Sequence, residues 1–204
     1  ITDAHFLYDV KIINDTYLGN AYTYRNDFDS GFAVLQKIYN ETLHNYWHFG
    51  VMESFGYLLF QMGDQAKGIN YLRQSVEAGD GEPFTVVDAA RWLAECYSTI
   101  NKPDSAIYYA KIGLAISQKI NYTLGIISTS RVLTDTYESS DLKQSHNYLK
   151  LFIAANDALY GEKKVLTLQQ TLAEEQERQL KAEADRIAYE NNLKQFAFLA
   201  GAGI

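Results

Sequence analysis

One short pattern of apolar and small residues recurs four times along the chain. It consists of an apolar residue, a small residue, an aromatic residue or leucine three positions later, a turn, and a second small residue. Such a unit is typical of two helices joined by a short turn, so the four copies predict eight helices. The predicted helices lie near residues 6–24, 29–45, 47–62, 65–79, 84–100, 104–119, 122–139 and 142–157.

The spacing of the small residues indicates a repeat array. Gly31, Gly68, Ala106 and Ser145 lie in the second helix of each unit and are separated by 37, 38 and 39 positions. A single globular core has no reason to produce so constant a period, whereas stacked helical hairpins do. A small residue there, or at Gly56 in a first helix, lets two helices approach closely while larger side chains fill the groove between them. The sequence therefore predicts an all-α solenoid with a helix-lined inner face.

The four copies resemble tetratricopeptide repeats. They read Leu18-Gly19-x-x-Tyr22 with Asn26-Asp27-Phe28 and Gly31, Phe55-Gly56-x-x-Leu59 with Gly63-Asp64 and Gly68, Leu93-Ala94-x-x-Tyr97 with Asn101-Lys102-Pro103 and Ala106, and Leu133-Thr134-x-x-Tyr137 with Ser145. The resemblance implies an all-α, TPR-like superhelical array over residues 1–157, with repeats at about 6–45, 47–79, 84–119 and 122–157. Two copies depart from the family pattern: Asp15 stands where the family usually has Trp, and the fourth copy is one residue short between Tyr137 and Ser145.

Residues 158–195 are predicted to form one long helix that caps the array and continues as a coiled-coil-like signalling segment. Residues 161–195 contain no proline and one glycine, with seven acidic and six basic residues. Val165, Leu168 and Leu172 have the spacing of a helix face that packs on the last hairpin. Every seventh residue is also apolar, which is half of a coiled-coil seam because the partner position is mostly Gln, Glu or Lys. This stripe consists of Leu159, Leu166, Ala173, Leu180 and Ile187.

The stripe is expected to mediate self-association when the chain is anchored in a membrane, and a solvated single helix is the alternative. Residues 196–204 carry no charge and begin with an aromatic residue. A membrane-spanning helix needs about 20 apolar residues, so this segment predicts only the start of one. An apolar helix end packed on the repeats is the alternative there.

The C-terminal part of the chain also resembles membrane sensor proteins of Bacteroidetes-type bacteria. The resemblance rests on Asn156-Asp157-Ala158-Leu159-Tyr160, Glu174-Glu175-Gln176-Glu177-Arg178 and the run from Tyr189 to Lys194 before the apolar end. It implies the periplasmic sensory input domain of an inner-membrane, transcription-regulating two-component protein, whose output is a histidine kinase or a helix-turn-helix regulator. The alternative is a soluble TPR scaffold that mediates protein–protein interaction without a membrane anchor.

Composition and charge narrow the classes of function. The 16 Tyr and 10 Phe against 2 Pro suit stacked helices with short turns. A net charge of −7 argues against nucleic acid as a partner, since phosphate binding requires clustered Lys and Arg. The single cysteine, Cys96, is expected to pack as a small core residue. Without a phosphate loop, a nucleophile elbow or a zinc spacing, no catalysis and no cofactor are predicted for this segment.

Two histidines have a spacing that metal sites use. His44 and His48 lie four positions apart, which would place both imidazoles on one helical face. Only Glu41 is nearby as a further ligand, so ordinary surface or packing histidines are the favoured interpretation and no metal site is predicted.

The inner face of the array supplies the predicted binding residues. In TPR-like hairpins the first helix presents groove residues three positions before its small residue and one position after it. Those positions hold Thr16, Asn20, Glu53, Tyr57, Arg91, Glu95, Arg131 and Asp135. We expect Tyr57 to anchor an unidentified peptide, protein or small ligand and the arginines to contact it. The alternative is a solvated face with ion pairs from Arg91 to Glu95 and from Arg131 to Asp135.

Overall fold

The computed structural model describes residues 3–78 and 82–201, and all secondary structure in these ranges is helical. The eight helices are α1 (Asp3–Tyr24), α2 (Phe28–Thr42), α3 (His48–Gln61), α4 (Gln65–Ala78), α5 (Pro83–Thr99), α6 (Pro103–Lys119), α7 (Thr123–Tyr137) and α8 (Leu142–Gly201). The chain divides into two compact units, Ile1–Asn156 and Asp157–Ile204.

Consecutive helices of the first unit pack as hairpins. Helix α1 packs on α2, α3 on α4 and α5 on α6, and each hairpin contacts the next through α2 with α3, α4 with α5 and α6 with α7. The fourth hairpin joins α7 to the beginning of α8, where Tyr137 stacks on Tyr148 with ring centroids 5.8 Å apart. The first helices also contact one another in a row, α1 with α3, α3 with α5 and α5 with α7. This arrangement is an all-α, TPR-like array, as the sequence predicts.

The hairpins are held together at the repeated small residues. A Cβ atom added at Gly68 would lie 2.6 Å from the carbonyl oxygen of Gly56 and 2.7 Å from the backbone nitrogen of Phe60. Helices α3 and α4 therefore approach backbone to backbone, and only glycine fits at this position. The equivalent residues of the other hairpins, Gly31, Ala106 and Ser145, are buried as well.

Turns between the paired helices use residues that tolerate a left-handed backbone. Asn26, Gly63 and Asn101 occupy the same repeat position, with φ values of 59°, 98° and 56°. In each turn the next residue donates its backbone N–H back into the first helix, as in the bond from Asp64 to the Leu59 carbonyl at 3.0 Å. The fourth turn is one residue shorter, and there the Asp141 N–H donates to Tyr137 at 2.8 Å.

Large apolar side chains fill the space between successive hairpins. Leu35, Ile38, Leu58, Leu72, Leu93 and Leu133 are fully buried. Cys96 is buried at 1% exposure, as expected for a core cysteine. Leu18 is the exception in the repeat pattern, since it is 44% exposed while its counterparts Phe55, Leu93 and Leu133 are buried. Those counterparts pack between hairpins, whereas no described helix precedes α1 to cover Leu18.

The last helix differs from the prediction at its start. The sequence suggested separate helices at 142–157 and 158–195, but α8 runs through this boundary without interruption. No proline and only Gly161 lie near it, and a single glycine lowers helix stability by about 1 kcal/mol without ending a helix. The predicted self-association stripe is exposed in this chain, with Leu159, Leu166, Leu180 and Ile187 between 39% and 67% exposed.

Leu172 is also exposed, while the side chains of Val165 and Leu168 lie outside the described part of the chain. The same holds for the side chains of residues 196–204, the predicted beginning of a membrane span. None of the helices in ranges 3–78 and 82–201 combines the length and the apolar character that crossing a membrane requires.

The glycine contacts give a matched pair of substitutions. Gly68→Ala should destabilise the array by about 2–3 kcal/mol, because the added methyl group meets backbone atoms that cannot move aside. Gly161→Ala adds the same group where no atom lies within 4 Å, so it should be neutral or stabilise by up to about 1 kcal/mol. Urea unfolding followed by circular dichroism measures both, and equal stability of the two variants would contradict the close approach of α3 and α4.

Candidate binding cleft on the inner face

A cavity of about 500 Å³ opens between the first helices of three successive hairpins, α1, α3 and α5. Four of the predicted groove residues, Thr16, Asn20, Glu53 and Arg91, line it. They come together because the same repeat position on adjacent first helices lies on the same side of the array. We call this cavity the first cleft.

Aromatic side chains form much of the wall of the first cleft. The lining includes Tyr17, Tyr24, Tyr46, Trp47, Phe84 and Trp92. Four of these rings are more than half exposed, from 52% for Phe84 to 70% for Tyr17. Hydrogen bonds fix the indoles: Trp47 Nε1 donates to Asp9 at 2.7 Å, and Trp92 Nε1 donates to the Tyr24 hydroxyl at 3.2 Å. The cleft thus offers oriented aromatic surface to solvent, which is typical of recognition sites.

Arg91 is the positively charged residue among the side chains that line the first cleft, and it is already paired. Its guanidinium donates to Glu95 at 2.9 Å, lies 3.9 Å from Asp88, and sits 4.8 Å above the Trp92 ring. Burial by itself lowers the pKa of Arg91, but the Glu95 carboxylate, the Tyr24 hydroxyl and the Asp88 carboxylate together raise it above its ordinary value. Arg91 therefore stays charged and is paired with the carboxyl groups of its own helix.

Glu53 is the least compensated polar group in the first cleft. Its side chain is only 7% exposed, and its Oε2 atom has no hydrogen-bond partner. Burial raises the pKa of Glu53 well above its usual range, and the neighbouring Asp88 carboxylate adds to the effect, while Arg91 and the Ala89 backbone amide oppose it. Burial also raises the pKa of Asp88, against the influence of Arg91. Two neighbouring carboxyl groups with raised pKa values therefore line the cleft.

The remaining predicted groove residues lie farther along the array. Glu95 and Asp135 line a second, shallower cleft of about 400 Å³ between α5 and α7, together with Ser98 and Thr136. Arg131 is exposed, and neither cleft includes it. No ion pair between Arg131 and Asp135 is found among the described residues, whereas the pair between Arg91 and Glu95 is present.

Tyr57 does not occupy the position expected of an anchor in the first cleft. One face of its ring stacks on Trp92 at 5.1 Å, with the planes 10° apart, and its edge approaches Tyr24 at 6.2 Å. Burial raises the pKa of its hydroxyl. Tyr57 instead supports the rings of Trp92 and Tyr24, which line the cleft.

The sequence prediction took two positions of each first helix, three before its small residue and one after it. Several residues that line the cleft lie at other positions. Asp88 lies one helical turn before Arg91 on the same face of α5, and Gly50 is its counterpart on α3. Without a side chain at Gly50 the cavity stays open, since a Cβ there would come near only Thr85, at 3.6 Å. Asp88 lies one helical turn before the predicted position Arg91, and Tyr24 lies one turn after the predicted position Asn20. Adding one turn at each end of the pattern would therefore include both. Tyr46, Trp47 and Glu82 come from turns, where repeat position gives no guide.

The two histidines do not share a helical face. His44 lies in the turn after α2 and His48 is the first residue of α3. The chain changes direction between them, so the arrangement suggested by their spacing is wrong. His48 packs its ring on Tyr39 at 5.0 Å, and burial, together with His44, lowers its pKa. Within the described part of the chain, no cluster of three or more potential metal ligands is present.

Comparisons with known proteins give similarities to solved structures alone. The sequence matches no family model and no curated protein. The crystal structure of MamA is similar at 17% identity with a TM-score of 0.48, over 75% of this chain and 81% of that one. A protein of Podosopora anserina, described as a kinesin light chain with nearly identical TPR-like repeats, is similar at 12% identity with a TM-score of 0.49, over 78% and 92%. A variant of that protein gives 12% identity and a TM-score of 0.49 over 79% and 92%.

The buried carboxyl group of Glu53 makes stability depend on pH. Because its pKa is raised in the folded state, the folded protein binds more protons than the unfolded chain above the ordinary pKa of Glu. The stability that Glu53 contributes is therefore present at low pH and is lost as pH rises through the folded pKa. Glu53→Gln should stabilise the array relative to wild type at alkaline pH, and this advantage should shrink towards pH 5.

Urea unfolding at a series of pH values measures this difference. Glu77→Gln, which removes an exposed carboxyl from α4, is the matched control and should not reproduce the trend. If the difference in unfolding free energy between Glu53→Gln and wild type were independent of pH, the assignment of a raised pKa to Glu53 would be wrong.

Proposed function

We propose that this array is a protein-binding domain that seats a segment of a partner protein in the first cleft. The observation that carries the proposal is the concave cavity in which Tyr17, Tyr24, Tyr46 and Phe84 expose more than half of their surface. A protein gains stability by covering such side chains, so their exposure in a concave site favours a binding role.

The form of the site favours an extended segment over a compact small molecule. The second cleft follows the first along the row of first helices, and the pair of Arg91 with Glu95 lies where the two meet, because each residue lines one of them. An extended chain advances about 3.3 Å per residue, so a segment of several residues would contact both clefts. Polar side chains of α5 and α7 in the second cleft, such as Ser98 and Thr136, offer hydrogen bonds to its backbone.

The exposed rings provide the test. Peptides of about 12 residues, roughly 40 Å long when extended, are selected from a random display library on the 204-residue protein. Their affinity should fall about tenfold or more for Tyr17→Ala and for Phe84→Ala, since exposed aromatic anchors dominate such interfaces. Calorimetric titration measures each dissociation constant.

Tyr108→Ala is the matched control for that experiment. Tyr108 is 61% exposed on α6 and does not line either cleft, so its removal should leave affinity unchanged. Failure to select any peptide, or selection of peptides that bind all three variants equally, would reject the first cleft as the binding site.

We further infer that binding serves a sensory input domain, with α8 as the connection to an output. The supporting observation is the length of α8, which runs for 60 residues without a break, or roughly 90 Å at about 1.5 Å per residue. Leu159, Leu166, Leu180 and Ile187 repeat every seven residues along it and are exposed. Half a seam buries little area, so pairing of two such helices is weak in solution and becomes effective when a membrane raises their local concentration. In this proposal the array lies on the periplasmic side of a bacterial inner membrane.

Cysteine crosslinking in intact bacteria tests this arrangement. In a Cys96→Ala background, Ala173→Cys, Leu180→Cys and Ile187→Cys should form dimers with a bismaleimide that does not cross the inner membrane. Ala182→Cys is the control. Ala182 lies two positions after Leu180, on the opposite face of the helix from the stripe, and should crosslink poorly. Equal crosslinking at all four positions, or none, would leave α8 without a pairing role.

A further inference from the structure

The first cleft has more acidic than basic groups on its wall. Glu53, Glu82 and Asp88 line it, and Arg91 is the basic residue among the lining side chains. The positive charge of Arg91 is shared between Glu95 and Asp88 at 2.9 and 3.9 Å. Acidic groups therefore outnumber the one guanidinium on this wall, and a positively charged ligand would reduce the repulsion between neighbouring carboxyl groups.

One carboxyl group on the wall of the cleft is buried and incompletely hydrogen-bonded. Glu53 lines the cleft and is only 7% exposed, and its Oε2 atom has no hydrogen-bond partner. The hydroxyl of Ser54, the next residue, lacks a partner too and lines the same cavity. Buried polar atoms without partners cost free energy, so a donor that reached the Glu53 carboxyl group would recover part of that cost.

The aromatic wall suits a cation rather than a neutral donor. Faces of aromatic rings attract ammonium and guanidinium groups, most strongly for tryptophan and where water is excluded. The protein already shows this preference in the cleft, where the Arg91 guanidinium lies 4.8 Å above Trp92. Exposed rings of Tyr17, Tyr24 and Phe84 stand around the remaining space.

We propose that the first cleft binds an ammonium or guanidinium group, supplied by a lysine or arginine side chain of the bound segment, between the aromatic wall and the Glu53 carboxyl group. This inference rests on the proposed function and adds the chemistry of the residue that enters the cavity. The cation lies against the Glu53 carboxyl group, and its alkyl chain packs against the rings. Asp88 lies close enough to influence the Glu53 carboxyl group, and a bound cation would favour the ionised form of both groups.

Both tryptophans of the chain, Trp47 and Trp92, line the first cleft, so their fluorescence reports occupancy directly. The probes are a set of short peptides that are identical except for one central residue, which is lysine, arginine, N-acetyl-lysine or norleucine. Free n-butylamine and neutral n-butanol form a second pair that separates a small amine from a side chain of a peptide.

The lysine and arginine peptides should bind about tenfold tighter than the acetyl-lysine and norleucine peptides, as expected for a cation in an aromatic and acidic site. Equal binding of all four peptides would overturn the cation inference and leave peptide binding in place. Binding of butylamine but of no peptide would retain the cation and overturn the proposed protein partner. No binding by any probe would overturn both.

Substitution of the acceptor completes the test. Glu53→Gln keeps the shape of the side chain and should remove most of the preference for lysine over norleucine. Glu77→Gln on α4 should keep the full preference. A preference unchanged in Glu53→Gln would overturn the role of Glu53 in holding the cation.

Discussion

The backbone-to-backbone approach of paired helices is the constraint on which the rest of the structure depends. Gly68 and Gly56 bring α3 and α4 so close that no Cβ atom fits between them. At this distance Leu58 and Leu72 are completely buried, so the two helices of the hairpin pack closely along their contact. The next hairpin packs on that unit through α4 and α5, which places α5 beside α3. The walls of the first cleft are therefore positioned by contacts on the far side of the helices that form it.

The cleft exists because the row of first helices is left unfilled at one place. Gly50 supplies no side chain where α5 has Asp88, and the nearby positions are polar instead of apolar. Keeping Glu53 buried and partly unpartnered costs free energy, and the cores between hairpins offset it. An empty site of this kind is less stable than a filled apolar one would be, which is how a binding protein retains affinity for a partner.

The sequence predicted the helices and small residues that recur at the repeat spacing. It did not predict the positions of side chains that are set by contacts between neighbouring repeats. Seven helices and the buried small residues follow from local pattern, and repeat position found Thr16, Asn20, Glu53 and Arg91. The role of Tyr57 could not be predicted, because Trp92 of the next repeat covers its ring. Tyr46 and Trp47 enter the cleft from a turn whose path no periodicity encodes. Helix α8 passes residue 157 because nothing there breaks a helix, although the repeat pattern ends.

The selectivity that we propose for the first cleft follows from the arrangement around Arg91. A ligand with a carboxylate group would bind to the Arg91 guanidinium. It would then compete with Glu95 for this group and would lie close to the carboxyl groups of Asp88 and Glu53, which repel it. Specificity is a difference of affinities, and the acidic residues of this cleft lower the affinity for an anionic ligand. In the proposed binding mode a cation would leave the pair of Arg91 and Glu95 intact and lie against the Glu53 carboxyl group. Because that pair joins the two clefts, a ligand that leaves it undisturbed also leaves the second cleft available for the rest of the bound segment.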